Sequence, residues 1–404
     1  MATKRELRVG MVGYAFMGAA HSQAWRTVNR VFDLPLRVRM AAVCGRDEAN
    51  VAAAADRLGW DAYTTDWREL VVRDDIDVID VCTPGDSHAE ITLAALAAGK
   101  HVMCEKPLAN TVDEARAMVR AAQAAGVRVL CGFNYRRVPA AALMRQLVAA
   151  GRVGAIRHVR AVYLQDWIVD PQFPLVWRLQ AERAGSGALG DIGAHIIDLT
   201  QYVTGQQITG VSALTETFIR ERPIPLSSSG LAASSVDGSG PNGDNQALGR
   251  VTVDDAALFT ARLDGAAVAT YEATRFATVR KNALRIEVNG SLGSLAFDLE
   301  RLNELEFYDA TRPSAEQGFS RILVTEADHP YLSAWWPPGH IIGYEHSFTH
   351  QMHDFVQAVA DGTDPRPSFA DALQVQEVLD AVQRSAAANS AWTEVAAELA
   401  QAHR

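Results

Sequence analysis

The chain has 404 residues, 48% of them apolar, which is enough for two or three domains with buried cores and is not the composition of a disordered chain. Its 38 basic against 48 acidic residues give a net charge of −10 with no Lys/Arg block, which argues against a grip on nucleic acid or an anionic membrane and leaves small neutral partners as the expectation. The start, MATKRELRVG, lacks the apolar core of a signal peptide, and no stretch nears the roughly 18 apolar residues of a membrane span, so a cytoplasmic protein is expected.

From residue 7 to about 132 the strand-like runs LRVGMVG, VRMAAVC, DVIDVC, HVMC and VRVLCGF alternate with alanine-rich helical segments. Such alternation predicts βαβ units, and continuously apolar strands predict a parallel sheet covered on both faces. The first strand empties into GYAFMGAAH, where Gly13, Ala15 and Gly18 occupy the three places of a G-x-G-x-x-G turn, with Phe16 and Met17 between. A turn of this kind presents a helix N-terminus to the phosphates of a dinucleotide, although a tight βα turn needs glycine for structural reasons alone. Residues 1–133 therefore read as a doubly wound, Rossmann-type domain.

The second strand ends in VCGRDEAN, with Gly45 where an acid for the adenosine ribose would stand. Arg46 beside it could take a 2′-phosphate or be an ordinary solvated side chain, so NAD and NADP both stay open. Cys44, Cys82, Cys104 and Cys131 fall near strand ends, form no C-x-x-C pair, and read as buried small hydrophobes. In HVMCEKPLAN a strand stops at Glu105, and Lys106 follows on a mount stiffened by Pro107. Ligands of doubly wound sheets sit beyond the carboxyl ends of the strands, so Lys106 is expected to overlook a bound nicotinamide.

After FNYRR the strands lengthen and alternate: RHVRAVYLQDW, AALFTARL, AAVATYEATRF, ALRIEVNG, SLAFDL, ELEFYD and RILVTEA. They predict a second α/β domain, residues 134–404, with a large, open, mostly antiparallel sheet. Residues 221–250, rich in Ser, Gly and Pro, read as a long mobile surface loop. Helices are expected near Leu189–Gly205 and in EHSFTHQMHDFVQAVADG and FADALQVQEVLDAVQRSA. In GSGALGDIGAHIIDL, Asp191 and His195 are four apart and share one helical face, as a ligand pair or as a helix cap and a satisfied histidine. Tyr163, Trp167, Phe173 and Trp177 lie beside Gln165, Asp166 and Arg178, a mixture that suits a sugar or cyclitol and equally suits core packing. His346, His350 and His353 lie at i, i+4 and i+7; without a glutamate inside the pair they read as a solvated or interface stripe, and no metal is expected.

Gly13-Tyr-Ala-Phe-Met-Gly18, Thr83-Pro84 with His88, Glu105-Lys106-Pro107, Trp177-Arg178 and Gly190-Asp191-Ile-Gly-Ala-His195 resemble, in order and spacing along nearly the whole chain, the glucose-fructose oxidoreductase/inositol dehydrogenase (Gfo/Idh/MocA) family. YLQDW, PLVWR, EATR, HPY and WWPPG resemble its levoglucosan dehydrogenase and glycoside 3-dehydrogenase branch, with inositol dehydrogenase close behind. The resemblance implies an NAD(P)-dependent dehydrogenase of an uncharged sugar, glycoside or cyclitol, working as a dimer or tetramer. Two readings of other classes compete with it: a glycosidase that retains its NAD and oxidises C3 only transiently, and a catalytically silent dinucleotide sensor. It assigns Lys106 to the reacting oxygen, His195 to its proton and Asp191 to orienting substrate or histidine. The cofactor set it implies is Gly13, Ala15, Phe16, Met17, Gly18, Arg46, Thr83, Pro84, His88, Glu105, Lys106, Asn134, Trp177 and Arg178. Tyr135, Tyr163, Gln165, Trp177, Asp191, His195 and Tyr344 would face the substrate.

Overall fold

The computed structural model describes residues 4–225 and 247–396. The chain forms two compact units, one of residues 1–138 with 331–373 and the other of residues 139–330 with 374–404. The sequence reading placed one boundary at 133/134, whereas the chain passes between the units at 138/139, 330/331 and 373/374.

In the first unit the elements run β1 (Glu6–Val12), α1 (Phe16–Val31), β2 (Arg37–Cys44), α2 (Glu48–Leu58), β3 (Tyr63–Thr64), α3 (Trp67–Val71), β4 (Val78–Val81), α4 (His88–Ala97), β5 (His101–Cys104), α5 (Val112–Ala125) and β6 (Val129–Cys131). All strand pairs are parallel, and the order β3-β2-β1-β4-β5-β6 is that of a doubly wound dinucleotide fold. All four residues of β4 are buried, as a strand covered on both faces requires. Register sets where the site is built: Val12 pairs with Cys44 and Val81, and Val81 pairs with Cys104. Gly13, Gly45, Cys82 and Glu105 therefore leave the sheet along one edge, at the reversal of strand order between β1 and β4.

The second unit begins with α6 (Pro139–Ala149), β7 (Ile156–Leu164), the short α7 (Ala181–Ala184), a π-helical turn at Leu189–Gly193 and α8 (Ala194–Thr204). Then follow β8 (Ile208–Glu216), β9 (Glu221–Pro223), β10 (Leu248–Arg250), β11 (Ala256–Leu263), β12 (Val268–Thr274), β13 (Ala283–Gly290), β14 (Gly293–Asp298), β15 (Glu304–Asp309) and β16 (Phe319–Leu323). With β17 (Thr393–Glu394), eight of these strands other than β9 and β10 make a nine-stranded sheet, antiparallel except where β12 runs parallel to β7. In β11 the burial alternates strictly after Ala257, so one face packs on the core and one does not. The expected loop at 221–250 is corrected at its ends: Glu221–Pro223 pairs antiparallel with Leu248–Arg250. Buried Arg222 anchors that ribbon by donating to the carbonyls of Ile168, Asp170 and Phe173. The rest of that stretch, 226–246, lies outside the described residues.

The chain ends with α9 (Tyr344–Asp361) and α10 (Phe369–Ala387). Helix α9 belongs to the first unit, not to the second domain as expected. Its stripe Phe348, Met352, Phe355 and Val356 is fully buried against Trp25 and Val28 of α1, and burial on this scale contributes about 2 kcal/mol per side chain. Among the described residues no helix is long and apolar enough to cross a membrane.

Candidate active site

Gly13 adopts φ +98 and donates its N–H to Cys44 O at 3.0 Å; a Cβ on it would stand 2.7 Å from Cys82 O. A Cβ on Gly18 would stand 2.2 Å from Gly13 O, so both glycines are demanded by close backbone approach. Ala15 caps α1 in extended conformation without a side-chain hydrogen bond, and the first turn, with Phe16 exposed, carries no acidic residue. Open N–H groups, no competing carboxylate and a glycine-lined cradle fit a dinucleotide pyrophosphate. Tyr14 covers Gly45, where a Cβ would meet its ring at 1.9 Å. Arg46 is exposed, and the adjacent Asp47 caps α2 by accepting from Asn50 N–H at 2.8 Å.

Thr83 and Pro84 follow β4 half-buried, and His88 ties that turn to the next one. Its Nε2 lies 2.8 Å from Thr83 O and its Nδ1 2.9 Å from Pro107 O, which places both ring nitrogens against backbone rather than toward a ligand. Lys106 is half-buried, and the Lys106–Pro107 peptide bond is cis. Glu105 is buried: Oε2 accepts from the Lys106 N–H at 3.2 Å, and Oε1 lies 3.0 Å from His21 Nε2. Asn134, also buried, donates to Ser347 Oγ at 2.8 Å, while the rings of Tyr135 and Tyr344 meet with centroids 6.3 Å apart. Burial first, then Tyr135 and Glu105, push the Tyr344 hydroxyl up, so it stays protonated.

In the second unit Asp191 sits within the π-helical turn and His195 in the first turn of α8, so the simple i, i+4 helical face expected from sequence is interrupted by a wider turn. That turn is held by Asp254, whose carboxylate accepts from Gly187 N–H at 2.7 Å and Leu189 N–H at 2.8 Å. Arg275, fully buried, lies 3.7 Å from Asp191 Oδ2, donates to Asp254 O at 3.1 Å and stands 5.4 Å over the Trp167 ring. His195 is buried with its ring 6.0 Å from that of Tyr163. Tyr163 Oη and Gln165 Nε2 both donate to Asn282 Oδ1, at 2.7 and 2.8 Å, and Trp167 Nε1 donates to Gln165 Oε1 at 3.0 Å. Trp177 and Arg178 form a half-buried 3-10 turn with the guanidinium 4.5 Å over the indole.

The sequence reading missed Arg275 and Asn282, which only strand pairing brings to Asp191 and Tyr163, and it missed His21 and Asp80. Asp80 did leave a signal: an acid within the apolar run DVIDVC must find a partner if the strand is buried. The histidine stripe is corrected as well. His350 is fully buried, donates from Nδ1 to Arg137 O at 2.9 Å and accepts Trp335 Nε1–H at 2.7 Å, while His346 accepts Gly343 N–H at 3.1 Å. All four cysteines are free and buried.

The profile of the oxidoreductase family with NAD-binding Rossmann fold matches residues 7–133, and that of the Gfo/Idh/MocA C-terminal domain matches residues 141–296. Levoglucosan dehydrogenase of Pseudarthrobacter phenanthrenivorans is 41% identical over 97% of this chain and 98% of its own. Among solved structures, an oxidoreductase domain protein from Kribbella flavida is 58% identical with a TM-score of 0.91, covering 97% of this chain and 100% of that one. A levoglucosan dehydrogenase in complex with NADH and levoglucosan is 38% identical with a TM-score of 0.89 and the same coverage. With a glycine cradle at the β1–β4 reversal, an E-K-P turn beside it and a D-x-G-x-H segment in the second unit, the chain belongs to the Gfo/Idh/MocA family of NAD-binding oxidoreductases.

Proposed function

We propose that this oxidoreductase is an NAD-dependent dehydrogenase of an uncharged pyranose or glycoside, levoglucosan or a near analogue, oxidising its C3 hydroxyl. The observation that carries the reading is the likeness to levoglucosan dehydrogenase along 97% of the chain at 41% identity, together with an intact Lys106, Asp191 and His195 set. The wall of Tyr163, Gln165, Asn282 and Trp167 offers aromatic faces beside amide groups, which suits C–H faces and hydroxyls of a sugar ring. The buried cations nearby serve the protein itself, Arg275 at Asp191 and Arg222 at three carbonyls, which favours a neutral substrate over a phosphorylated one.

Residues 13–18, Thr83 and Pro84 would hold the dinucleotide, and when bound it supplies the hydride acceptor. His195 takes the hydroxyl proton as the general base, since histidine titrates near neutrality. Lys106 steadies the developing oxyanion from the end of β5, and Asp191, fixed by Arg275, orients the substrate or His195. A homo-oligomer is part of the proposal, and light scattering reads it directly. The experiment for the substrate is absorbance at 340 nm with NAD and NADP separately against levoglucosan, glucose, a β-glucoside and myo-inositol. NADH formation fastest with levoglucosan or a glycoside supports the reading. A preference for myo-inositol, or sugar cleavage without NADH release, overturns it in favour of a cyclitol dehydrogenase or an NAD-retaining glycosidase.

A further inference from the structure

His21, in the second turn of α1, is fully buried with a carboxylate at each ring nitrogen. Nδ1 lies 3.0 Å from both oxygens of Asp80, and Nε2 lies 3.0 Å from Glu105 Oε1. A neutral imidazole has one N–H and one lone pair, so one of these contacts would set a lone pair against a carboxylate oxygen. Either the ring carries two protons or one acid is protonated. Two facts place the proton on the ring. Carboxylic acids ordinarily release protons well below histidine, and Asp80 is surrounded by donors: Trp25 Nε1–H reaches Oδ2 at 2.7 Å and the Cys82 thiol approaches Oδ1 at 3.5 Å.

The remaining neighbours do not offset this. Phe348 of α9 faces the ring at a centroid distance of 5.5 Å, and the Tyr344 hydroxyl stays protonated. Burial alone would lower His21, yet the Asp80 carboxylate outweighs it and holds the ring well above its usual range. His21, Asp80 and Cys82 also come close enough together to suggest a metal. A donor-only indole aimed at Asp80, and a thiol pushed up by burial, instead suit a proton-linked cluster.

Glu105 packs against Gly132, where any Cβ would stand 2.4 Å from its Oε1, so only glycine leaves room for the carboxylate in this position. Its other oxygen receives the Lys106 N–H. We propose that His21 is a doubly protonated positioning residue, clamped between Asp80 and Glu105, which fixes the Glu105 carboxylate and through it the backbone that carries Lys106. The charge of the ring is an inference from the first unit alone; only the kinetic arm below rests on the proposed role of Lys106.

Ring-15N-histidine labelling of the wild-type protein, read by long-range 1H–15N correlation between pH 6 and 9, tests the charge without a variant. A histidine signal with both ring nitrogens in the N–H range, unchanged across that span and absent from His21→Asn, is the expected result. A neutral His21 tautomer at pH 7, or one equivalent of zinc or another transition metal in the purified protein, overturns the proposal. For the positioning role, His21→Gln keeps a donor near Glu105 and His21→Asn keeps only the one near Asp80. With the best sugar, kcat is expected to fall about 10²-fold in His21→Asn, the size of effect an ångström-scale misplacement produces, with sugar KM within threefold and most of kcat regained in His21→Gln. Equal kcat in the two folded variants would assign His21 a merely structural part and end the positioning claim.

Discussion

Gly18→Ala tests the cofactor cradle through a single methyl group. The added carbon would stand 2.2 Å from Gly13 O and 3.3 Å from Met11 Cε. Contact with the oxygen is relieved only by a displacement of about 1 Å, since carbon and oxygen pack no closer than roughly 3.2 Å. Gly13 cannot supply that displacement freely: its N–H is bonded to Cys44 O and its α-carbon faces Cys82 O. Alanine gains about 1 kcal/mol of helix propensity over glycine, so the variant is expected to fold, with the first turn of α1 pushed off the β1 turn. Misplacement on that scale is worth about 10²-fold, or about 2.7 kcal/mol of NADH affinity. NADH fluorescence titration measures it. Gly59→Ala is the control: Gly59 ends α2 at φ +81 with nothing within 4 Å, so alanine there is expected to cost roughly 1 kcal/mol of stability and leave NADH affinity alone. NADH binding by Gly18→Ala within threefold of wild type would refute the cradle argument.

Arg275→Met is expected to leave Asp191 without its buried cation and lower kcat by more than tenfold, with Arg275→Lys intermediate; wild-type kcat in Arg275→Met would disconnect Arg275 from the site. His350, pushed down by burial to about 3, gives a stability prediction of definite sign. Its folded value lies below its unfolded one near 6.5, so the unfolded chain binds more protons and stability is lost as pH falls from about 6.5 toward 3, by about 2 kcal/mol at pH 5. Urea unfolding at pH 5 and 7.5 checks this: the wild type should lose about 2 kcal/mol more between them than His350→Asn, and equal losses would mean that His350 titrates normally in the fold.

What could be read from the sequence was local. Gly13 to Gly18, Glu105-Lys106 and Asp191 to His195 are each carried by a few consecutive residues whose chemistry and backbone demands coincide, and the structure places them at a βα turn, a strand end and a helix start. Partners across long separations were not legible. Nothing in GAAH says that His21 meets Asp80 and Glu105, because parallel strand order, not spacing, brings them together. That 344–361 form a helix was legible, but nothing local names α1 as its partner, and it is packing on α1 that ties this helix to the first unit. Strand β8, ITGVSALTE, escaped notice because its Gly, Ser and Thr hide the alternation that pairing with β11 reveals. Arg222 sits in a stretch whose Ser, Gly and Pro content reads as loop, yet its guanidinium is a buried fastening for the 168–173 carbonyls.

The most direct test of the central claim is turnover of Lys106→Ala and His195→Ala, assayed as NADH formation with the best sugar, beside NADH titration of the same proteins. Each substitution is expected to lower kcat by about 10³-fold or more, as loss of an acid–base group or of oxyanion support does, while NADH affinity stays within a few fold of wild type. Sugar-dependent NADH formation at wild-type rates in both variants would contradict it.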